Sequence, residues 1–80
     1  MNRAKLKQVL DNEGIRADAY DLEGGDGSER YNLRECNGVW DVYYSERGIE
    51  SGLRRFSNEQ EACVHLLNLL REDSSTHTGE

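Results

Sequence analysis

The stretch ERYNLRECNGVWDVYYSE, residues 29–46, decides the fold of this 80-residue chain. Its Asn37-Gly38 dipeptide stands between two runs in which apolar and polar residues alternate. A two-residue hairpin turn of type I′ needs positive φ at both central positions, which Asn and Gly adopt more easily than other residues. The stretch therefore predicts two antiparallel strands joined by a tight turn.

Alternation divides the side chains of this hairpin between two faces. The apolar face is predicted to carry Tyr31, Leu33, Trp40, Val42 and Tyr44. The other face of the second strand carries Asp41, Tyr43 and Ser45. Because burial of one face sets the register, we expect the apolar face to meet the core and the second face to be displayed to solvent. The alternative is that Tyr43 packs beneath a loop or a terminal helix.

A short amphipathic helix precedes the hairpin. Leu6, Val9 and Leu10 fall at helical spacing, with polar residues between them. This spacing predicts a helix over residues 2–13 with one face to bury, and Gly14 is well placed to end it.

The segment between this helix and the hairpin predicts a strand and a loop. Residues 15–18 turn the chain, and AYDLE, residues 19–23, places Tyr20 and Leu22 on one face of a strand. GGDGS, residues 24–28, has three glycines, which favours a mobile connection. It lacks the lysine of a phosphate-binding loop, so nucleotide binding is not indicated.

A polar turn and another strand are predicted after the hairpin. ERGIESG, residues 46–52, is the turn, and LRRFS, residues 53–57, is an antiparallel strand with Phe56 inward. An exposed edge at LRRFS or AYDLE could pair with a second copy of the chain. Arg54 and Arg55 would equally serve to protect such an edge.

A second helix is predicted over about residues 59–71. Its N-cap is either Ser57 or Asn58, since each is followed three residues later by Gln or Glu. Its apolar stripe consists of Ala62, Cys63, Leu66, Leu67, Leu69 and Leu70. The predicted fold is α+β, in the order α-β-β-β-β-α, with a small antiparallel sheet of three to four strands flanked by an N-terminal and a C-terminal helix.

Size and composition indicate one small domain. A chain of this length buries only about 60 to 65% of the surface that its unfolded form exposes. Residues 1–72 are predicted to form the domain, and the polar residues 73–80 a disordered tail. The N-terminus has no apolar run typical of a signal peptide, and no segment approaches the roughly 20 apolar residues of a membrane span. We therefore expect a soluble, cytoplasmic protein.

The net charge of −6 is unevenly distributed along the chain. Residues 1–10 carry +3, residues 11–29 carry −6, residues 30–56 carry +1 and residues 57–80 carry −4. An acidic field repels nucleic acid and anionic membranes and speeds encounters with a basic partner. Acidity can also serve solubility alone. The charge favours a protein partner, and we expect neither nucleic acid nor membrane to be one.

No combination of residues predicts a catalytic or metal site. His65 is expected to be a partly exposed helix residue, since no Ser or Cys partner can be placed beside it. Cys63 is expected in the core and Cys36 at the exposed hairpin end, and the absence of a C-x-x-C pattern disfavours zinc and disulfides. The acids of residues 21–26 lack the EF-hand spacing for calcium. We expect no enzyme activity, no cofactor and no metal.

The segments NLRECNGVWDVYYSERG and LRRFSNEQEACVHLL carry a family resemblance. Their W-x-V-Y-Y-S-E-R-G run, basic-aromatic strand and E-A-C helix resemble small bacterial immunity proteins of contact-dependent growth inhibition and related polymorphic toxin systems. The resemblance covers about residues 29–70. It implies a cytosolic protein without catalysis of its own that neutralises one cognate toxin domain, often a nuclease, with an RNase favoured over a DNase.

Resemblance and charge together lead to a hypothesis about the binding surface. An acidic inhibitor can occupy the basic cleft of a nuclease, with carboxylates in place of phosphates. For steering and cleft contacts we predict Asp21, Glu23, Asp26 and Glu29. For a central anchor we predict Asp41, Tyr43, Glu46 and Arg47, since Tyr and Arg contribute disproportionately to binding. The alternative function is a regulatory or oligomerisation module that binds a non-toxin protein through the same surface.

Overall fold

The computed structural model describes residues 1–24 and 29–73 of the chain. Two α-helices and four strands follow one another in the predicted α-β-β-β-β-α order, which confirms the α+β class, and a short 3-10 helix (Ala17–Ala19) precedes the first strand. Their bounds are α1 (Arg3–Asn12), β1 (Tyr20–Asp21), β2 (Arg30–Cys36), β3 (Val39–Glu46), β4 (Ile49–Phe56) and α2 (Glu59–Glu72). Most of the predicted GGDGS loop, from residue 25, and the predicted tail beyond residue 73 lie outside the described residues.

The four strands form one sheet in the order β1-β2-β3-β4. β2, β3 and β4 are antiparallel neighbours, as predicted. β1 is parallel to β2, with Tyr20 beside Tyr31 and Asp21 beside Asn32, so the sheet is mixed and the prediction of an entirely antiparallel sheet is wrong in this detail. Two parallel strands begin at the same end of the sheet, so the chain that leaves β1 has to run back to that end before β2 starts. A local turn signal in the sequence does not predict such a connection.

Side-chain caps fix the start of both helices. Asn2 Oδ1 accepts a hydrogen bond of 2.9 Å from the backbone N–H of Lys5. Asn58 Oδ1 accepts one of 2.8 Å from the backbone N–H of Glu61. Each bond satisfies a backbone donor that has no partner inside its helix. Of the two predicted caps of α2, Asn58 is therefore the one used.

Two tight turns join the antiparallel strands. Asn37 and Gly38 have φ of 53° and 81°, which confirms the predicted turn between β2 and β3. Arg47 and Gly48 have φ of 54° and 81° and form an equivalent turn between β3 and β4. Residues 49–52, predicted as part of a loop, belong to β4. The error has a physical reason, because arginine seldom adopts positive φ and so gives no turn signal.

A β-bulge interrupts the pairing of β3 with β4. Val42 lies beside Arg54 and Tyr44 lies beside Ser51, so two residues of β4, at positions 52 and 53, oppose the single residue Tyr43. Position 52 is a glycine with φ of 65°, a conformation that L side chains rarely adopt. The bulge leaves Phe56 on the same face as Trp40, as predicted.

The core lies between the sheet and the helices. α2 packs on β2, β3 and β4, and α1 packs against α2. The face of the sheet that carries Leu33 and Val42 meets the helices, as predicted, and we call it the inner face. The buried cluster consists of Leu6, Leu10, Ile15, Ala19, Tyr20, Leu22, Leu33, Val42, Ala62, Cys63, Leu66, Leu67 and Leu70.

Candidate partner-binding surface

The eight predicted partner-binding residues do not form one surface. Asp26 lies outside the described residues, and the other seven occupy three places on the sheet. Asp41 and Tyr43 lie on the outer face, opposite to the inner face. Asp21 ends β1 and Glu23 follows it two residues later, and Glu29, Glu46 and Arg47 lie at or near the end of the sheet where β3 stops.

The outer-face residues Asp41, Tyr43 and Ser45 are buried, so the prediction that they are displayed to solvent is wrong. Tyr43 is 0% exposed and Asp41 is 7% exposed. The Arg34 guanidinium lies 4.6 Å from the centroid of the Tyr43 ring and covers it. The Arg34 guanidinium also lies within 3.4 Å of the tyrosine hydroxyl. The alternative that Tyr43 is packed is the one the structure supports, and neither Tyr43 nor Asp41 is available as a central anchor.

Asp41 is neutralised by two arginines from neighbouring strands. Arg55 Nε donates to Asp41 Oδ1 at 2.9 Å, and Arg34 Nη2 donates to Asp41 Oδ2 at 3.2 Å. These hydrogen bonds, that of Arg55 first, hold the pKa of the Asp41 carboxyl below its usual value. Arg34 also pairs with Glu50 at 3.2 Å. We call these five residues, Arg34, Asp41, Tyr43, Glu50 and Arg55, the outer-face cluster.

Asp21 and Glu23 lie beside the first turn of α1. Both line a shallow groove together with Arg3 and Lys7. Glu23 lies 3.6 Å from the Arg3 guanidinium, and Asp21 Oδ1 accepts a hydrogen bond of 2.8 Å from the backbone N–H of Glu23. Because the groove is lined by basic as well as acidic side chains, it attracts a cationic partner less strongly than the acids in the sequence alone indicated.

A group of carboxylates surrounds a pair of tyrosines on the inner face, where β2 begins and β3 ends. The rings of Tyr31 and Tyr44 meet edge to face, with centroids 4.9 Å apart. The Tyr31 hydroxyl donates to Asp73 Oδ2 at 3.0 Å. The backbone N–H of Glu29 donates to the carbonyl of Ser45 at 2.6 Å, which holds Glu29 beside the end of β3. We call the five residues Tyr31, Tyr44, Glu29, Glu46 and Asp73 the acidic end.

The field of the acidic end is negative. Burial first, and then the charges of Glu46, Glu29 and Asp73, raise the pKa of Tyr44. Burial and the hydrogen bond to Asp73 raise the pKa of Tyr31 to about 12. Within residues 1–24 and 29–73, neither Glu29 nor Glu46 has an ion pair with a cation. Arg47 lies next to this group in the exposed β3–β4 turn.

Sequence reasoning placed only part of the acidic end. It named Glu29 and Glu46, but it assigned Tyr31 and Tyr44 to the buried face and Asp73 to the tail. In the structure both tyrosines are only half-buried. A partly buried tyrosine hydroxyl usually forms a hydrogen bond with a neighbouring group. This requirement is the one feature of the sequence that could have predicted a place for Asp73 inside the domain.

The two cysteines and His65 lie in different environments. Cys63 is buried, which raises its pKa to about 11, and Cys36 is exposed as predicted. The His65 ring packs against Phe56 with centroids 5.2 Å apart. In the described part of the chain, no three side chains of His, Cys, Asp or Glu are close enough together to hold a metal ion. No helix there is both long and apolar enough to cross a membrane.

Comparison with protein families, with curated proteins and with solved structures gives no match for this chain.

Proposed function

We propose that this chain is a cytoplasmic, non-enzymatic immunity protein that binds one cognate toxin domain, a nuclease and more specifically an RNase, and blocks its basic cleft. The observation that carries the proposal is the acidic end, where Glu29 and Glu46 lie exposed beside Tyr44 without a neutralising cation in the described residues. The resemblance of residues 29–70 to immunity proteins supports the same role.

The acidic end has the chemistry that a basic cleft recognises. Its exposed carboxylates can take the place of phosphate oxygens and accept charge-assisted hydrogen bonds from Arg and Lys. The half-buried faces of Tyr31 and Tyr44 can receive a guanidinium through a cation–π contact. The negative field raises the association rate with a basic partner, and this gain falls with ionic strength.

The groove beside α1 is a secondary contact in this proposal. Asp21 and Glu23 line it, and Asp26 follows them in the sequence. Because Arg3 already compensates Glu23, we expect these acids to steer the approach of the toxin more than to anchor it.

The first experiment is rescue of growth. The C-terminal domain encoded by the neighbouring gene is expressed in a bacterial host with and without this chain, and growth is measured together with RNA and DNA integrity. We expect toxicity that this chain abolishes, with the degraded nucleic acid identifying the substrate of the toxin. A neighbour that is harmless, or that kills regardless, contradicts the immunity role and favours the alternative, a regulatory module that binds a non-toxin protein.

The second experiment locates the interface. The double variant Glu29→Lys/Glu46→Lys reverses two charges at the acidic end, and the control Glu35→Lys/Glu61→Lys reverses two exposed charges elsewhere. Both variants have the same net charge. We expect the first to weaken toxin binding about tenfold or more and to flatten the salt dependence of association, and the second to change binding far less. Equal losses in both would assign the effect to net charge and remove the acidic end from the interface.

A further inference from the structure

β4 is the one long strand with an open side in the part of the sheet that the structure describes. Its only neighbour is β3, whereas β1 at the opposite edge has two residues. Every residue of β4 except Phe56 is exposed. The backbone N–H and C=O groups on the open side of such a strand are free to pair with an added strand.

The bulge divides β4 into two arms with matching faces. Each residue of β4 shares the face of the β3 residue beside it, so Ile49 and Phe56 lie on the inner face and Glu50 and Arg55 on the outer face. Counted outward from the bulge, both arms present an inner, an outer and an inner side chain. These are Ser51, Glu50 and Ile49 in one arm and Arg54, Arg55 and Phe56 in the other.

We propose that two copies of this chain pair β4 with β4 in antiparallel orientation, about a two-fold axis between Gly52 and Leu53. Only an axis at the bulge sets inner side chains beside inner ones and outer beside outer along both arms. It places Glu50 beside Arg55 of the second copy and Ile49 beside Phe56 of the second copy, and each contact occurs twice. Glu50 and Arg55 already pair with Arg34 and Asp41 within each copy, so their meeting extends this ion-pair network across the axis, while Ile49 and Phe56 bring apolar surface together on the inner face.

The hydrogen-bonding phase of β4 agrees with this register. The Ser45 carbonyl accepts from the Glu29 N–H on the β2 side, so Ser45 does not exchange hydrogen bonds with Glu50 beside it. The backbone groups of Glu50 therefore face the open side. The bulge adds a residue to β4 but leaves the alternation along β3 unbroken, so Asp41 directs its backbone groups to the same side as Ser45, toward β2. Arg55, which lies beside Asp41, therefore also directs its backbone groups to the open side of β4. Glu50 and Arg55 of two copies can then exchange both backbone hydrogen bonds.

Exposed apolar side chains lie where the second copy would cover them. Ile49 is 69% exposed and Leu53 is 44% exposed, and both belong to β4. Val64 of α2 is also exposed and lines a shallow groove with Phe56 on the same side of the sheet. The fourth large exposed hydrophobic residue of the described chain, Val39, lies at the far end of the β2–β3 hairpin.

The test begins with the mass of the wild-type chain in solution. Sedimentation equilibrium from about 1 µM to about 1 mM should show the mass rising from 9.2 kDa toward twice that value. Leu53→Lys places a charge on the axis and should raise the dimer dissociation constant at least about tenfold. Val39→Lys, a comparable change at an exposed hydrophobic position on β3 and not on the open side of β4, should alter it less than about twofold. Circular dichroism confirms that both variants are folded.

Amide hydrogen exchange tests the register in the unaltered chain. The amides of Glu50 and Arg55 should gain protection as the protein concentration rises, while the amide of Ser51, which faces β3, stays protected throughout. A chain that remains monomeric overturns the proposal. A dimer that Leu53→Lys leaves intact, or one without protection at Glu50 and Arg55, overturns it as well. These outcomes do not depend on toxin binding, so the dimer and the immunity function can fail separately.

Discussion

Tyr43 and Tyr44 are neighbours on β3, but they belong to two regions of opposite character. Tyr43 lies in the outer-face cluster, fully buried beneath the Arg34 guanidinium. Tyr44 lies at the acidic end, half-buried against Tyr31 and surrounded by carboxylates. Alternation along a strand sends adjacent residues to opposite faces, so one residue of this pair stabilises the domain while the other remains accessible to a partner.

The two regions also use their carboxylates differently. Asp41 in the outer-face cluster accepts hydrogen bonds from two arginines at 2.9 and 3.2 Å, so its charge is neutralised within the protein. Glu29 and Glu46 at the acidic end have no such cations within the described ranges, so their charge acts on the surroundings. The count of acids in a sequence therefore overstates the charge that a partner meets, and the position of each arginine decides which acids remain.

The largest expected effect is a difference in the free energy of unfolding between the Ala variants of the two tyrosines. Tyr43→Ala removes a ring with no exposed surface, and we expect it to lower the free energy of unfolding by about 3–5 kcal/mol. Tyr44→Ala removes a half-buried ring and should cost less than about 2 kcal/mol. Urea denaturation followed by circular dichroism measures both. Equal losses of stability in the two variants would mean that the Tyr43 and Tyr44 side chains are buried to the same extent in solution.

Asp41→Asn tests whether the paired carboxylate stabilises the fold. Loss of its charge-assisted hydrogen bonds should lower the free energy of unfolding by about 1–3 kcal/mol, toward the smaller value because the Arg55 side chain is largely exposed. Glu46→Gln at the acidic end is the matched control and should stay within about 0.5 kcal/mol of the wild type. A control that destabilises as much as Asp41→Asn would contradict the comparison.

The same variant should change the response to acid. Since the native pKa of Asp41 is lowered below 3.8, its contribution is complete above that value and is lost as the pH falls through the native pKa. The wild type should therefore lose stability over this range more steeply than Asp41→Asn. Denaturant midpoints measured across the acid range provide the test, and identical slopes would show that Asp41 is not held by its arginines.

At the acidic end the sharpest test is an alkaline titration. The pKa of Tyr31 is raised from 10.0 to about 12, so its contribution to stability is complete below pH 10.0 and is lost as the pH rises through about 12. Burial, the largest cause of the raised pKa, remains in Asp73→Asn, whereas the carboxylate that accepts from the Tyr31 hydroxyl is lost, so the variant should lower this pKa part of the way toward 10.0. The ultraviolet absorbance of tyrosinate follows the change. An unaltered titration in Asp73→Asn would place Asp73 away from Tyr31.

The smallest expected effect comes from His65, outside both regions, and defines the background pH dependence. Burial first, and then the charge of Arg54, lower the pKa of His65 below 6.5. Its contribution to stability is therefore complete above pH 6.5 and is lost as the pH falls through the native pKa. His65→Gln should flatten stability just below pH 6.5 without altering the response that Asp41 produces at lower pH. A wild type with no slope there would place His65 in solvent.

Local sequence signals predicted the elements well and their surroundings poorly. Asn37-Gly38 predicts its hairpin because both residues tolerate positive φ. The equivalent Arg47-Gly48 turn carries no such signal, because arginine seldom adopts positive φ, and so the sequence predicts a longer loop there. The parallel pairing of β1 was missed because it depends on where the chain returns, which no short segment specifies.

The candidate sites show the same division. Charge counting named Glu29 and Glu46 correctly as exposed acids, but it also named Asp41, which two arginines from other strands neutralise. Those arginines stand 7 and 14 residues from Asp41 along the chain, and only the strand register brings them to it. The acidic end gathers residues from β2, β3 and the end of α2 in the same way.

By itself the sequence determined the two helices, the central hairpin and the apolar face that joins them, because these follow from spacing and backbone preference within a few residues. The tertiary structure alone decided which side chains remain available to a partner. Burial of Tyr43, neutralisation of Asp41 and the meeting of Tyr31 with Asp73 each require residues distant in sequence to lie within a few ångströms. Coulombic and packing energies depend on that distance in space, which the order of residues does not contain.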